Sequence, residues 1–391
     1  LSAQCPKKME RETLIRPFNL SIADEDLEVL RYRLSQTRWP EKETVEDWSQ
    51  GVPLDRAKAL CSYWHASYDW RRCERVLNGV GQFKTEIDGL DIHFLHIKSP
   101  EANALPLLLT HGWPGSIIEF LNVIGPLTNP CAYEGQAQDA FDLVIPSIPG
   151  YGFSDKPSDQ NWGVRHIAEA WIKLMRRLGY ARFVAQGGDW GAAITTELAI
   201  QQPPECVAIH LNMPIAFPPP PDTPGLTPAE RQAAQDHVDF VTTGTGYSLL
   251  QGTCPQTIGY ALTDSPIGQA MWIYEKLKAW ADCPNAPETS FGWDTVLDNI
   301  MLYWLTQTGA SSARLYWRSA ATAFTDQRKV TMPTGCSIFP KEILRPSRRM
   351  VAERYTNLVY WNELQNGGHF AAMEQPGVFS EEMRQFFRPF R

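Results

Sequence analysis

Residues 185–193 read Ala-Gln-Gly-Gly-Asp-Trp-Gly-Ala-Ala, one carboxylate set among glycines. The apolar run Phe183-Val184-Ala185 leads in, and the helix-forming stretch Ala192–Leu198 leads out. Strand, sharp turn and helix in that order make a nucleophile elbow, which exposes one reactive side chain. The usual elbow, G-x-S-x-G, carries serine; Gly187-Gly188-Asp189-Trp190-Gly191 carries aspartate. An aspartate at such a junction often only caps the helix. A cap does not require glycine two residues before and two after it. A strained elbow does, because side chains there would strike neighbouring backbone.

Aspartate at this position selects the chemistry. A serine attacking saturated carbon would form an ether, which has no carbonyl for water to attack. An aspartate forms an ester whose carbonyl belongs to the enzyme, so a histidine–acid pair can direct water to it. The expected substrates carry a leaving group on saturated carbon, as epoxides and alkyl halides do. Halide departs with indole N–H donors, whereas an epoxide oxygen needs an acid such as a tyrosine hydroxyl.

Other segments supply partners. His369 lies in Asn366-Gly-Gly-His-Phe370, a glycine-rich loop beyond the last expected strand, where the order nucleophile–acid–histidine places the base. Glu342 follows the apolar run Cys336–Phe339 and is the expected acid, with Asp326 a weaker rival because it precedes that run. His111-Gly-Trp-Pro-Gly115 follows the first long apolar run. The backbone N–H of Trp113 in this turn, with that of Trp190, is expected to hold the oxyanion. The Trp113 and Trp190 indoles are expected to line the pocket, and the Trp113–Pro114 bond is a candidate cis bond. Tyr247 and Tyr316 are candidate acids, although tyrosines among aromatics are usually packing residues. No phosphate loop and no H-E-x-x-H are present, so neither nucleotide cofactor nor metal is expected.

The elements that position these groups follow from pattern. Apolar runs at 105–109, 141–145, 182–185 and 206–211 alternate with helical segments, of which 166–178 is the clearest. That alternation predicts an α/β core, a mostly parallel sheet with helices on both faces. Residues 83–97 read as a hairpin turning at Asp88-Gly89. Prolines crowd residues 214–225 and end the strand pattern. The organisation expected is a helical N-terminal extension (1–82), a first core part (83–214), a helical lid (215–327) and a second core part (328–391). Within the extension, Ser21 is expected to cap a helix carrying Leu27, Leu30 and Leu34, and a second helical pattern runs over 53–77.

Net charge is −8, and no Lys/Arg block stands out, which argues against a nucleic-acid partner. Eight cysteines without framework spacing read as reduced thiols of a soluble, cytoplasmic protein.

Taken together, the motifs resemble those of the microsomal-type epoxide hydrolases of the α/β-hydrolase fold, particularly the soluble fungal members. The resemblance spans nearly the whole chain. It rests on HGWPGS (111–116), IPGYGFSDKP (148–157), GGDWGA (187–192), GYSLLQGTCPQTIGYALTDSPIG (246–268), MLYWLT (301–306) and GGHFAAMEQP (367–376). It implies that Asp189 is the nucleophile, His369 the base and Glu342 its acid partner. It also implies that Tyr247, in G-Y-x-x-x-Q, and Tyr316 are the lid acids. Mammalian members carry an N-terminal membrane anchor, and this sequence shows no such segment, so no stable anchor is expected. A homodimer is a further expectation. The alternatives are a haloalkane dehalogenase and a catalytically silent, ligand-binding homologue.

Overall fold

The apolar runs become strands β1 (Arg16–Pro17), β2 (Gln82–Ile87), β3 (Leu90–Ile97), β4 (Leu105–Thr110), β5 (Phe141–Pro146), β6 (Phe183–Gly187), β7 (Cys206–Leu211), β8 (Thr334–Ile338) and β9 (Leu358–Glu363). The structure is a computed structural model and describes residues 14–391; Cys5 lies outside them. The strands form one sheet in the order β1-β2-β3-β5-β4-β6-β7-β8-β9. From β5 to β9 every pairing is parallel, while β1, β2 and β3 add antiparallel pairings at one edge. Asp88 and Gly89 both take positive φ, 50° and 88°, as the β2–β3 turn requires. This is the α/β-hydrolase fold.

Strand order fixes where a site can form. The chain crosses from β4 to β5 in one direction and from β5 to β6 in the other. Right-handed crossovers therefore place the helix Leu121–Thr128 on one face and Val164–Arg177 on the other. The crevice where the direction reverses lies beyond the carboxyl ends of β4 and β6, the usual ligand position in such sheets. His111–Gly115 follows β4 and Asp189 follows β6, so both open into that crevice. The core is continuous beneath it, with Leu107, Leu109, Val144, Ile145, Phe183 and Ile209 without solvent exposure.

Between β7 and β8 the chain forms helices only, from Pro228–Asp239 to Gly309–Ala323. The N-terminal helices pack on this group through charge. Arg72 donates to buried Asp298 at 2.6 Å, and the Tyr68 and Tyr63 hydroxyls donate to Asp298 and Asp294 at 2.7 and 2.9 Å.

Two local expectations are corrected. The first helix is Asp24–Ser35, its N-cap is Ala23, and no side chain caps it. Ser21 lies two residues too early, where Glu74 and Asn78 hold the backbone of Ile22 and Leu20. The pattern over 53–77 is two helices, Leu54–Ala66 and Trp70–Gly79. Asp69 breaks it by accepting from the Arg71 N–H and capping the second helix.

Candidate active site

Asp189 opens the helix Asp189–Gln201 with φ 51°, a left-handed conformation that costs energy for a non-glycine residue. The N-cap is Gly188, so Asp189 does not cap its helix. A Cβ on Gly187 would overlap the Gly191 carbonyl, and one on Gly191 the Thr110 carbonyl. The tight turn is what demands glycine on both sides. A Cβ on Gly112 would run into the Asp189 carboxylate itself, so glycine there lets the loop after β4 close on the nucleophile position.

The two carboxylate oxygens of Asp189 have different environments. Oδ1 accepts from the Trp113 backbone N–H at 2.7 Å. Oδ2 faces His369 Nε2 at 3.3 Å. The Trp113 loop is fixed by His111, whose Nε2 accepts from the Ile148 N–H while Nδ1 donates to the Gly112 carbonyl. Burial pulls this imidazole down to about 4, so it stays neutral and serves as a strut. The Trp113–Pro114 bond is cis.

His369 Nδ1 lies 2.6 Å from Glu342 Oε1 and donates to it. Asp326 is elsewhere, paired with Arg328 and Arg354. Burial alone would lower the His369 imidazole. The Glu342 carboxylate and Asp189 outweigh it and hold the ring well above the ordinary histidine range.

Tyr247, from Gly246–Thr253, and Tyr316, from Gly309–Ala323, are both buried, with ring centres 5.8 Å apart. The Trp113 indole stacks on Tyr247 at 5.0 Å and meets Tyr316 edge-on at 5.8 Å. The Trp190 indole meets Tyr316 at 4.9 Å. Burial, first, and the nearby Asp189 charge hold both phenols above the ordinary tyrosine range, so they remain donors at neutral pH. The structure thus gathers Asp189, His369, Glu342, Trp113, Trp190, Tyr247 and Tyr316 in one place.

Sequence reasoning missed two carboxyls here. Glu374 accepts from the Asp282 and Phe370 N–H groups at 2.6 and 2.9 Å, tying the lid to the His369 loop. Burial raises it to about 7. Glu119, Asp189, His369, Gln186 and Asn212 line a cavity of about 20 Å³, room for one water. Burial pushes the Glu119 carboxyl up to about 8; His369 opposes that, and Asp189 and Glu342 reinforce it. The signal was a single acid in an apolar run, Ile117-Ile118-Glu119-Phe120.

Glu119 gives a stability prediction. Its unfolded carboxyl ionises near 4.5, its folded one near 8. Between these values the native state binds more protons, so its stabilising contribution, complete below 4.5, is lost as pH rises through 8. The slope is at most about 1.4 kcal/mol per pH unit. Urea unfolding at pH 5 and pH 8 is expected to show Glu119→Gln gaining on the wild type toward pH 8. An unchanged difference refutes the raised carboxyl.

Similarity to known proteins extends over nearly the whole chain. Residues 15–120 match the family model "Epoxide hydrolase N terminus", and residues 106–342 match "alpha/beta hydrolase fold". A provisionally assigned epoxide hydrolase of Stigmatella aurantiaca (strain DW4/3-1) is 53% identical, covering 96% of this chain and 86% of that protein. Epoxide hydrolase 1 of Sus scrofa is 34% identical, over 97% of this chain and 90% of that protein.

The chain belongs to the epoxide hydrolase family.

The solved Aspergillus niger epoxide hydrolase superposes with a TM-score of 0.86 at 31% identity, covering 97% of this chain and 98% of that one. Family membership makes the chain an enzyme of the epoxide hydrolase class. Among the described residues no helix is long and apolar enough to cross a membrane.

Proposed function

We propose that this chain hydrolyses apolar epoxides to vicinal diols through a covalent ester on Asp189. The observation that carries this reading is the division of the Asp189 carboxylate. One oxygen rests on the Trp113 N–H, and the other faces His369. The ring oxygen of the substrate accepts hydrogen bonds from Tyr247 and Tyr316 while Oδ2 attacks the ring carbon from behind. The carbon–oxygen bond breaks, a tyrosine proton passes to the departing oxygen, and Oδ1 becomes the ester carbonyl. His369, oriented by Glu342, then takes a proton from water, and the hydroxide attacks Asp189 Cγ. The Trp113 and Trp190 N–H groups hold the oxyanion. Collapse releases the diol with Oδ2 in it, and the histidine proton restores the tyrosine.

Aromatic walls from Trp113, Trp190, Tyr247 and Tyr316 favour aryl and alkyl epoxides over polar ones. The ordering of charges supports the two-step scheme. Asp189 is one of the groups that raise His369, and esterification removes its charge. The ester thus holds a proton on His369 less tightly than the free carboxylate does, while Glu342 keeps the ring oriented. Single turnover with excess enzyme in ¹⁸O-water tests the scheme. The first diol is expected to carry unlabelled oxygen from Asp189; a fully labelled first diol means direct attack by water and ends the covalent reading.

A further inference from the structure

One charge in the lid has no part in the scheme above. Lys276 lies on the helix Pro266–Trp280 and is only 7% exposed. Its Nζ sits 4.7 Å from the centre of the Tyr247 ring and 5.8 Å from that of Trp280. Among the described residues its ion-pair partner is its chain neighbour Glu275, at 2.5 Å, whose side chain is 32% exposed. The position is fixed from both sides. Trp272, one turn earlier on the same helix, donates its indole N–H at 3.1 Å to Gln251, a fully buried residue on the Tyr247 helix. The Trp113 indole lies parallel to the Tyr247 ring, 6° between planes.

A buried ammonium is costly unless something compensates it. Glu275 offsets part of that cost, and the negative face of the Tyr247 ring offsets more. A neutral phenol attracts a cation over its face weakly. A phenol surrendering its proton carries growing negative charge and attracts the same cation strongly. An interaction that strengthens along the reaction coordinate lowers the barrier, whereas one of constant strength does not.

We infer that Lys276 is a positioning residue for ring opening, a cation held against Tyr247 that stabilises phenolate character as the proton passes to the epoxide oxygen. The electron pair left on the phenol oxygen is neutralised again when His369 returns its proton, so nothing else is consumed. The inference rests on the role proposed for Tyr247. Asp189 and Glu275 raise that phenol and Tyr316 hydrogen-bonds it, and none of the three supplies positive charge.

The test separates the two chemical steps by rapid chemical quench with styrene oxide and excess enzyme. Lys276→Met is expected to slow epoxide consumption about tenfold and to leave ester hydrolysis within about twofold. Glu275→Gln combined with Lys276→Met keeps the site neutral and is expected to give the same loss. Lys276→Arg is expected to restore most of the rate. In a Tyr247→Phe background, Lys276→Met is expected to change ring opening less than about twofold. Equal slowing of both steps, or a full effect in that background, makes Lys276 a packing residue and overturns the inference. If Tyr247→Phe itself leaves ring opening at the wild-type rate, the Tyr247 role fails, and this inference falls with it by a separate result.

Discussion

The His369→Gln enzyme is expected to consume one equivalent of epoxide and then stall with the ester on Asp189. The reason lies in which oxygen each neighbour holds. Trp113 holds Oδ1 without help from the histidine, so the carboxylate stays aimed and ring opening proceeds within about tenfold of wild type. Among the described residues the second step has no other base in position. Glu342 reaches the site only through His369 Nδ1, and the Glu119 carboxyl, raised to about 8, is protonated at neutral pH. Loss of a general base costs about 10²–10⁴-fold, so hydrolysis becomes slow enough to trap the adduct. Mass spectrometry checks this directly. The intact protein gains the mass of one epoxide, and digestion places it on the peptide containing Asp189. Continued multiple turnover without a mass shift removes the covalent step and its assignment to His369.

Much of the frame was legible in local sequence because its causes are local. Strands β4 to β7 are buried on both faces and read as short apolar runs. The elbow glycines are dictated by backbone contact within a few residues. The hairpin at Asp88-Gly89 follows from the left-handed φ that its turn requires. Elements whose causes lie far away in sequence read less well. β1 is two residues long and exists because it pairs with β2, so it carries no periodicity of its own. The break at Ser67–Asp69 is held by Tyr68, whose hydroxyl bonds Asp298 some 230 positions later.

The same contrast holds in the candidate site. Asp189, His369 and Glu342 stand at strand ends and turns near glycine or proline, where a polar residue already asks for an explanation. Glu119 and Lys276 do not. Each sits in a helical segment, where a charge reads as solvated surface. Glu119 is enclosed by the loops after β4 and β6 and by the His369 loop, and Lys276 by the helices between β7 and β8, so burial of both is a property of contacts across the chain. Glu342 and Asp326 were separable by position relative to β8, but the separation became a distance only through the fold: 2.6 Å to His369 for one, arginine partners for the other.

Replacing both Tyr247 and Tyr316 by phenylalanine is expected to abolish ring opening, at least about 10³-fold, with the lid intact. An alkoxide is too basic to leave saturated carbon unprotonated, and in the proposed scheme the two phenols supply that proton. Each single variant is expected to lose less, about tenfold to a hundredfold, because the other phenol still donates. Burial, the main cause, raises both hydroxyls above the ordinary tyrosine range. An acid acts while it holds its proton, so raised values carry the alkaline loss of ring opening to higher pH. Quenched single-turnover rates are therefore expected to show no loss from tyrosine ionisation through pH 9 in the wild type. The ring stacking of Trp113 on Tyr247 does not involve the hydroxyl, so phenylalanine keeps that contact, and circular dichroism and unfolding midpoints should match wild type. Normal ring opening by the double variant would assign the acid to another group and leave the paired tyrosines as part of the aromatic wall.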